Sequence, residues 1–173
     1  MPGGEAMAAD RIIGGLSVDT YTDAPLRVAR AVYLNAPPKS VFAVISDHVN
    51  ADQWLPLVNR VNVNRGHASE RNGTGTIRYL HSLPRYFVRQ YIIAYHAPHL
   101  LAYSIEEHAF ITQHVAIMLL EPERFGGTNL FWRHYFHSSW WPGLTIPLTS
   151  LVLHQTCTWA LFNLIGHFGG QPR

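Results

Sequence analysis

Residues 146–168 read IPLTSLVLHQTCTWALFNLIGHF, and this stretch near the end of the chain decides the fold. Its apolar residues recur every three or four positions, the spacing of one face of an α-helix. They are Leu148, Leu151, Val152, Trp159, Phe162 and Ile165. Gly169, Gly170 and Pro172 follow, and glycine and proline commonly end helices. The stretch therefore predicts one long terminal helix.

This helix carries no charged side chain, because no Asp, Glu, Lys or Arg stands between Arg133 and Arg173. Residues 144–165 are long enough to be weighed as a membrane span, which needs ~20 mainly apolar residues. His154, Gln155 and Asn163 oppose that interpretation, because polar side chains are costly at the centre of a bilayer. We favour a largely buried helix of a soluble domain.

The chain before this helix alternates apolar and polar residues in segments that turn residues separate. No intervening segment after residue 58 is long enough for the helical crossover that parallel strands need, so we predict an antiparallel sheet. Seven strands are predicted, at residues 27–34, 58–67, 75–82, 86–96, 100–107, 110–120 and 128–137.

Two short helices are predicted between the first and second strands. Pro37 or Pro38 begins one of them, since proline at the first helical turn gives up no hydrogen bond. The second covers residues 50–58 and carries Trp54. We expect residues 1–25 to be a flexible extension and residues 26–170 to form a single domain, which suits a chain of 173 residues.

Five short motifs resemble one protein superfamily. They are APPKSVF at 36–42, DQWLP at 52–56, GTGTIR at 73–78, APHLLAY at 97–103 and GGTNLFW at 126–132. In order and spacing they resemble the START-like and polyketide cyclase/dehydrase (SRPBCC) proteins over residues 27–168. The resemblance implies an α+β helix-grip fold, in which a curved seven-stranded antiparallel sheet wraps round the terminal helix.

The chain departs from this superfamily in two places. Members often carry a carboxylate on the fourth strand, where this chain has Gln90. Their terminal helix usually has charges on its outer face, whereas none is found here. The uncharged helix suggests that another subunit or lipid covers it. A homodimer through this helix and a peripheral membrane contact are therefore both retained as hypotheses.

Strand alternation selects the side chains that face the interior, because successive residues of a strand point to opposite faces. Arg85 and Arg89 favour the solvent side of the fourth strand, which places Gln90 inside, together with Ala94. The last strand turns inward the side chains of Trp132, His134 and Phe136. By the resemblance, Arg78 and Tyr103 join this lining, and His114 shares the face of Ala116.

An apolar pocket with a few polar groups suits a hydrophobic ligand that bears carbonyl or hydroxyl oxygens. The candidate ligand-binding residues are Trp54, Gln90, Tyr103, Trp132, Phe136, Gln155 and Trp159. The candidate catalytic residues are Arg78, to hold an enolate or carboxylate, and His114 and His134, because imidazole titrates near neutrality.

Structural roles compete with these functional ones. Trp54 and Trp132 also suit a plain hydrophobic core. Arg78 equally suits an ion pair with Glu106 or Glu107 on a nearby strand. Each histidine alone fits a buried, hydrogen-bonded imidazole, so their joint position on inward faces is the better evidence for a site.

Other classes of function find little support. The 11 histidines show neither H-x-H on a strand nor H-E-x-x-H on a helix, so we predict no metal. No glycine-rich phosphate loop or G-x-S-x-G turn occurs, and no cofactor is predicted. The net charge of +2 includes no basic run, which argues against nucleic acid as a partner. The lone Cys157 favours a reducing, cytoplasmic compartment.

Three hypotheses follow. The first is a protein that binds a polyketide, quinone or lipid-like molecule between the sheet and the terminal helix. The second is its enzymatic version, a polyketide cyclase or dehydratase. The third is a non-catalytic lipid carrier, or an interaction module that uses the uncharged terminal helix to contact a protein or a membrane.

Overall fold

The computed structural model describes residues 11–83, 86–106, 110–138 and 140–173. The strands are β1 (Ile12–Ile13), β2 (Leu16–Ser17), β3 (Leu26–Leu34), β4 (Arg60–Asn64), β5 (Ile77–Leu83), β6 (Tyr86–His96), β7 (Leu100–Glu106), β8 (Ile111–Pro122), β9 (Thr128–Ser138) and β10 (Gly170–Pro172). The helices are α1 (Pro38–Ile45) and α2 (Pro142–Phe168), with 3-10 helices at Val18–Thr20 and His48–Gln53.

The predicted antiparallel helix-grip class is confirmed. In the described ranges, eight strands form the main sheet in the order β10-β3-β9-β8-β7-β6-β5-β4, and each neighbouring pair is antiparallel. The main buried core lies between one face of this sheet, α1 and the inner side of α2. This core positions the site described below.

The structure differs from the prediction in two details. The main sheet gains an eighth strand because β10 pairs with β3, where Gly170 lies opposite Leu34. Gly170 has a φ of 136° and lies so close to the Tyr33 carbonyl that a Cβ there would collide with it. The second short helix covers His48–Gln53 rather than residues 50–58, because the backbone leaves helical geometry at Trp54, with a φ of −126°.

The segment 11–25 is not the loose extension that its composition suggested. Ile13, Val18 and Ala24 are buried in a second cluster that covers the outer face of the sheet and includes Ile117 and Tyr135. The outer face of the sheet is itself apolar, so it needs this cover. Residues 1–10 of the predicted extension lie outside the described residues.

The long helix α2 is confirmed, but it is not largely buried. Its inner side consists of Cys157, Ala160, Leu161 and Leu164, with Thr145 near its start. Most of the predicted stripe faces outward: Leu148, Leu151, Trp159 and Phe162 are each more than half exposed, and Val152, which is equally exposed, lies at the rim of the cavity described below. The sequence is apolar around the whole helix, so periodicity alone could not tell which face packs on the sheet. No helix in the described part of the chain has the length and apolar character needed to cross a bilayer.

Two β-bulges change which residues face the interior. A bulge between Ile92 and Ala94 moves Ala94 to the outer cluster, against the prediction, and turns Tyr95 inward onto Phe42. A second bulge lies between Thr112 and Val115 in β8. An extra residue in one strand shifts the alternation of side chains by one position.

Candidate functional site

A cavity of about 240 Å³ lies between the sheet and α2. Apolar side chains from residues 55–58, β5, β6, β7, β8 and α2 form most of its wall. Gln90, Tyr103, Trp132 and His134 add polar groups on the sheet side. The volume lies just below the ~300 Å³ at the lower end of the range for pockets that hold drug-sized ligands. It suits a ligand of one or two rings.

Arg78 is a buried cation behind this wall, with 1% of its surface exposed. Its Nε donates to Oε1 of Gln90 at 2.7 Å, and its Cζ lies 4.9 Å from the centroid of the Tyr103 ring. Burial lowers the pKa of Arg78 to about 10, which leaves the guanidinium charged at neutral pH. Among the described residues, no carboxylate forms an ion pair with Arg78. Glu106, one of its two predicted partners, pairs instead with Arg89 at 3.8 Å. Glu107, the alternative partner, lies outside the described residues.

His48 completes the surroundings of Arg78 and was missed by sequence reasoning. Its Nδ1 lies 3.4 Å from Nη1 of Arg78, and its Nε2 lies 3.0 Å from the carbonyl oxygen of Asn72. Because arginine only donates, Nδ1 accepts and Nε2 carries the proton that binds Asn72. Burial, assisted by the charge of Arg78, lowers the pKa of His48 to about 3. His48 is therefore neutral and tolerates the adjacent cation.

A chain of hydrogen bonds crosses the interior from β7 to α2. The amide of Ile105 donates to Nδ1 of His114 at 3.1 Å. Nε2 of His114 lies 3.0 Å from Nδ1 of His134, and Nε2 of His134 lies 3.2 Å from Sγ of Cys157. Burial lowers the pKa of His134 to about 3 and raises the pKa of the Cys157 thiol to about 12. Both groups are therefore neutral near pH 7.

The bulge in β8 explains how His114 joins this chain. Gln113 is the extra residue, with a φ of 52°, and such positive values are uncommon for residues other than glycine. Beyond it, Ala116 pairs with His134 on the inner face, while Val115 pairs with Tyr135 on the outer face. Ile111 and His114 are three positions apart, so a regular strand would point their side chains to opposite faces. The bulge lets both face the interior, where Ile111 lines the cavity and His114 reaches His134.

Aromatic rings join these polar groups to the cavity. The Trp132 ring lies 5.4 Å from the His134 ring and 5.9 Å from that of Trp54, between centroids. Nε1 of Trp132 makes no hydrogen bond of strict geometry among the described residues, but it lies beside the Tyr103 hydroxyl and favours the ionised form of that group. Burial, followed by the neighbouring Cys157, raises the pKa of Tyr103 above its usual range, so its hydroxyl stays protonated.

Six candidate residues from the sequence meet in one cluster. They are Arg78, Gln90, Tyr103, His114, Trp132 and His134. Gln90, Tyr103, Trp132 and His134 line the cavity, while Arg78 and His114 are buried one layer behind it. Any role of these two in the site is therefore indirect in this structure.

The other four candidates do not line this cavity. Trp54 and Phe136 are buried core residues, with 3% and 0% of their surface exposed. Gln155 and Trp159 lie on the exposed face of α2 and not on the inner side that was predicted for them. The error follows from the ambiguous faces of an apolar helix.

Several residues of the wall were not predicted. Leu80 lies two positions after Arg78 on β5, and Val88 lies two positions before Gln90 on β6. Each therefore shares a strand face with a predicted residue, and the strand pattern could have identified both. Thr149, Thr156 and Cys157 reach the cavity from α2, and their sequence gave no comparable signal. In the described ranges, no three or more His, Cys, Asp or Glu side chains are grouped as a metal site would require.

Comparison with known proteins agrees with this architecture. A family model described as "Polyketide cyclase / dehydrase and lipid transport" matches residues 25–154. No curated protein matches the chain significantly. Among solved structures, one from Thermobifida fusca has a TM-score of 0.69 at 19% identity, covering 82% of this chain and 92% of that one.

Two further structures of similar fold have descriptive names. The Zhui aromatase/cyclase of a Streptomyces species has a TM-score of 0.64 at 16% identity, covering 81% of this chain and 91% of its own. A START superfamily protein from Mycobacterium smegmatis has a TM-score of 0.66 at 12% identity, covering 83% of this chain and 97% of its own. At such identities the likeness shows the fold alone.

Proposed function

The chain belongs to the polyketide cyclase/dehydrase and lipid transport family, and we propose that it binds an apolar molecule of one or two rings in the cavity beneath α2. The cavity itself carries this proposal. Its wall is mainly apolar and supplies hydrophobic burial, while Gln90, Tyr103, Trp132 and His134 supply polar contacts that orient a ligand. Polyketide-like aromatic compounds and small quinones fit these requirements.

Filling the cavity tests the proposal. Val88 lines the cavity, whereas the adjacent Phe87 is 49% exposed on the opposite face of β6. The Val88→Trp variant should abolish binding of 1-tetralone, a bicyclic ketone, in a calorimetric titration. The Phe87→Trp variant adds an indole at the neighbouring position and should bind like the wild type. Equal binding by both variants, or no binding by the wild type, would contradict a ligand site here.

The enzymatic version is a second candidate, supported by two adjacent proton-bearing groups in the wall. The centroids of the Tyr103 and His134 rings lie 6.3 Å apart, and both residues line the cavity. Both groups would stabilise an enolate during aldol closure, and Arg78 would act through Gln90 and Tyr103. A candidate poly-ketone should then cyclise faster with wild-type protein than with His134→Ala or Arg78→Ala. Equal rates would contradict the enzymatic hypothesis.

The outer face of α2 supports a second proposal, a homodimer through this helix. Leu144, Leu148 and Leu151 are each more than half exposed at helical spacing, and a continuous apolar face of this kind usually marks an interaction site. Helices that bind anionic membranes usually add Lys or Arg beside the apolar face, and α2 has neither. The lack of basic residues favours a second copy over lipid. With its single cysteine free and buried, the cytoplasm remains the proposed compartment.

A further inference from the structure

The Ile105 amide fixes the direction of the histidine chain. A backbone N–H can only donate, so Nδ1 of His114 accepts and carries no proton. The remaining proton of a neutral His114 is on Nε2, which therefore donates to Nδ1 of His134. His134 must then carry its own proton on Nε2, which points to Sγ of Cys157. One backbone group thus sets the tautomer of two imidazoles.

The proton on His134 is presented at the cavity wall. His134 and Cys157 both line the cavity, and a thiol sulfur is only a weak hydrogen-bond acceptor. A carbonyl oxygen of a ligand would be a stronger acceptor for the same N–H. His134 is neutral, so it offers a hydrogen bond without requiring a counter-ion.

Neighbouring groups in the wall are also donors. Arg78 donates to Oε1 of Gln90, which fixes the orientation of that amide and leaves its N–H pair for other partners. The indole N–H of Trp132 lies beside the Tyr103 hydroxyl, its neighbour in the wall. Gln90 therefore adds a second N–H donor to that of His134.

We propose that the Ile105 amide, through His114 as a positioning residue, locks His134 in its Nε2–H tautomer so that the cavity selects ligands with carbonyl acceptors. This inference rests on the proposed ligand binding and narrows its substrate class. Ketones and quinones offer the N–H groups of His134 and Gln90 a stronger acceptor than the thiol sulfur of Cys157. Hydrocarbons offer these groups no acceptor.

The tautomer can be measured without a ligand. Long-range proton–nitrogen NMR spectra of the labelled protein should show His134 protonated on Nε2 and unprotonated on Nδ1. A His114→Gln variant can accept from Ile105 with its oxygen and donate to His134 with its nitrogen, so it should keep this signature. A His114→Leu variant should shift the Nδ1 resonance of His134 toward that of an unbonded nitrogen. A wild-type spectrum with the proton on Nδ1 would overturn the proposal.

Selection is tested with two probes that share a bicyclic frame, 1-tetralone and tetralin, which differ by one carbonyl oxygen. The dissociation constant of tetralin divided by that of 1-tetralone measures the preference for the carbonyl. This ratio should fall about fivefold in His134→Phe, which corresponds to the loss of one neutral hydrogen bond. His114→Gln should keep the wild-type ratio. An unchanged ratio in His134→Phe would overturn the inference while leaving ligand binding intact. If neither probe binds wild-type protein, the proposed function and the carbonyl selection that rests on it both fail. The NMR spectra test the His134 tautomer independently of any ligand.

Discussion

Nε of Arg78 donates to Oε1 of Gln90 across the β5–β6 pair, and the two residues expose only 1% and 6% of their surface. A buried guanidinium thus has an uncharged amide as its closest polar partner. Proteins usually pair a buried charge with an opposite charge, because desolvation is costly. Gln90 is therefore central both to the stability of Arg78 and to the polarity of the cavity.

Replacing Gln90 by leucine should destabilise the fold by about 2–3 kcal/mol, because Nε of Arg78 would lose its acceptor inside the protein. Urea unfolding measures this change. Gln53→Leu, at an exposed position of similar chemistry, should stay within about 0.5 kcal/mol of the wild type. A Gln90→Leu protein as stable as the wild type would show that Arg78 finds another partner.

Acidic pH should weaken the fold through His134. Its folded pKa of about 3 lies below the unfolded value of ~6.5, so the unfolded chain takes up a proton that the folded chain excludes. The free energy of unfolding should thus be fully retained above pH ~6.5 and decline toward pH 3, by up to ~1.4 kcal/mol per pH unit for this group.

The His134→Gln variant isolates this contribution. Its unfolding free energy should fall less steeply than that of the wild type in urea titrations at pH 6.5, 5.5 and 4.5. His137→Gln, at an exposed position of the same strand, is the matched control. Parallel curves for His134→Gln and the wild type would mean that His134 binds its proton equally in both states.

Two glycines should respond oppositely to alanine. Gly75 has a φ of 92°, and a Cβ there would collide with the backbone carbonyl of His67. Gly75→Ala should cost at least about 2 kcal/mol. Gly166 lies in α2 with open space around its Cα, so Gly166→Ala should add about 0.5–1 kcal/mol through helix propensity. Thermal and urea unfolding measure both, and the same sign for the two would contradict this backbone geometry.

The outer face of α2 should control assembly. Leu151→Glu places a charge on a residue that is 56% exposed, so the monomer fold should lose no more than about 0.5 kcal/mol. Light scattering after size exclusion should show a dimer for the wild type and a monomer for the variant. Phe125→Glu, at a 94% exposed residue in the turn before β9, should remain dimeric. A monomeric wild type that binds neutral lipid vesicles would instead favour the membrane.

Strand alternation predicted much of the cluster. Gln90, Trp132 and His134 were correctly predicted to face the interior because each lies on a regular part of a strand. On such a strand, one polar neighbour that faces solvent is enough to show which alternate residues face inward. Ala94 was misplaced because the bulge that precedes it has no sequence signature as strong as a turn. Local patterns hold only as far as the strand stays regular.

The sequence by itself determined the class of the fold, since the spacing of turns, strands and one terminal helix permits few other arrangements. Only the tertiary structure decided which face of α2 meets the sheet and that Gln155 and Trp159 lie outside. It also linked Ile105, His114 and His134 into one directed chain. The physical reason is that periodicity is a property of neighbouring residues, whereas packing and hydrogen bonds between distant strands depend on the assembled backbone.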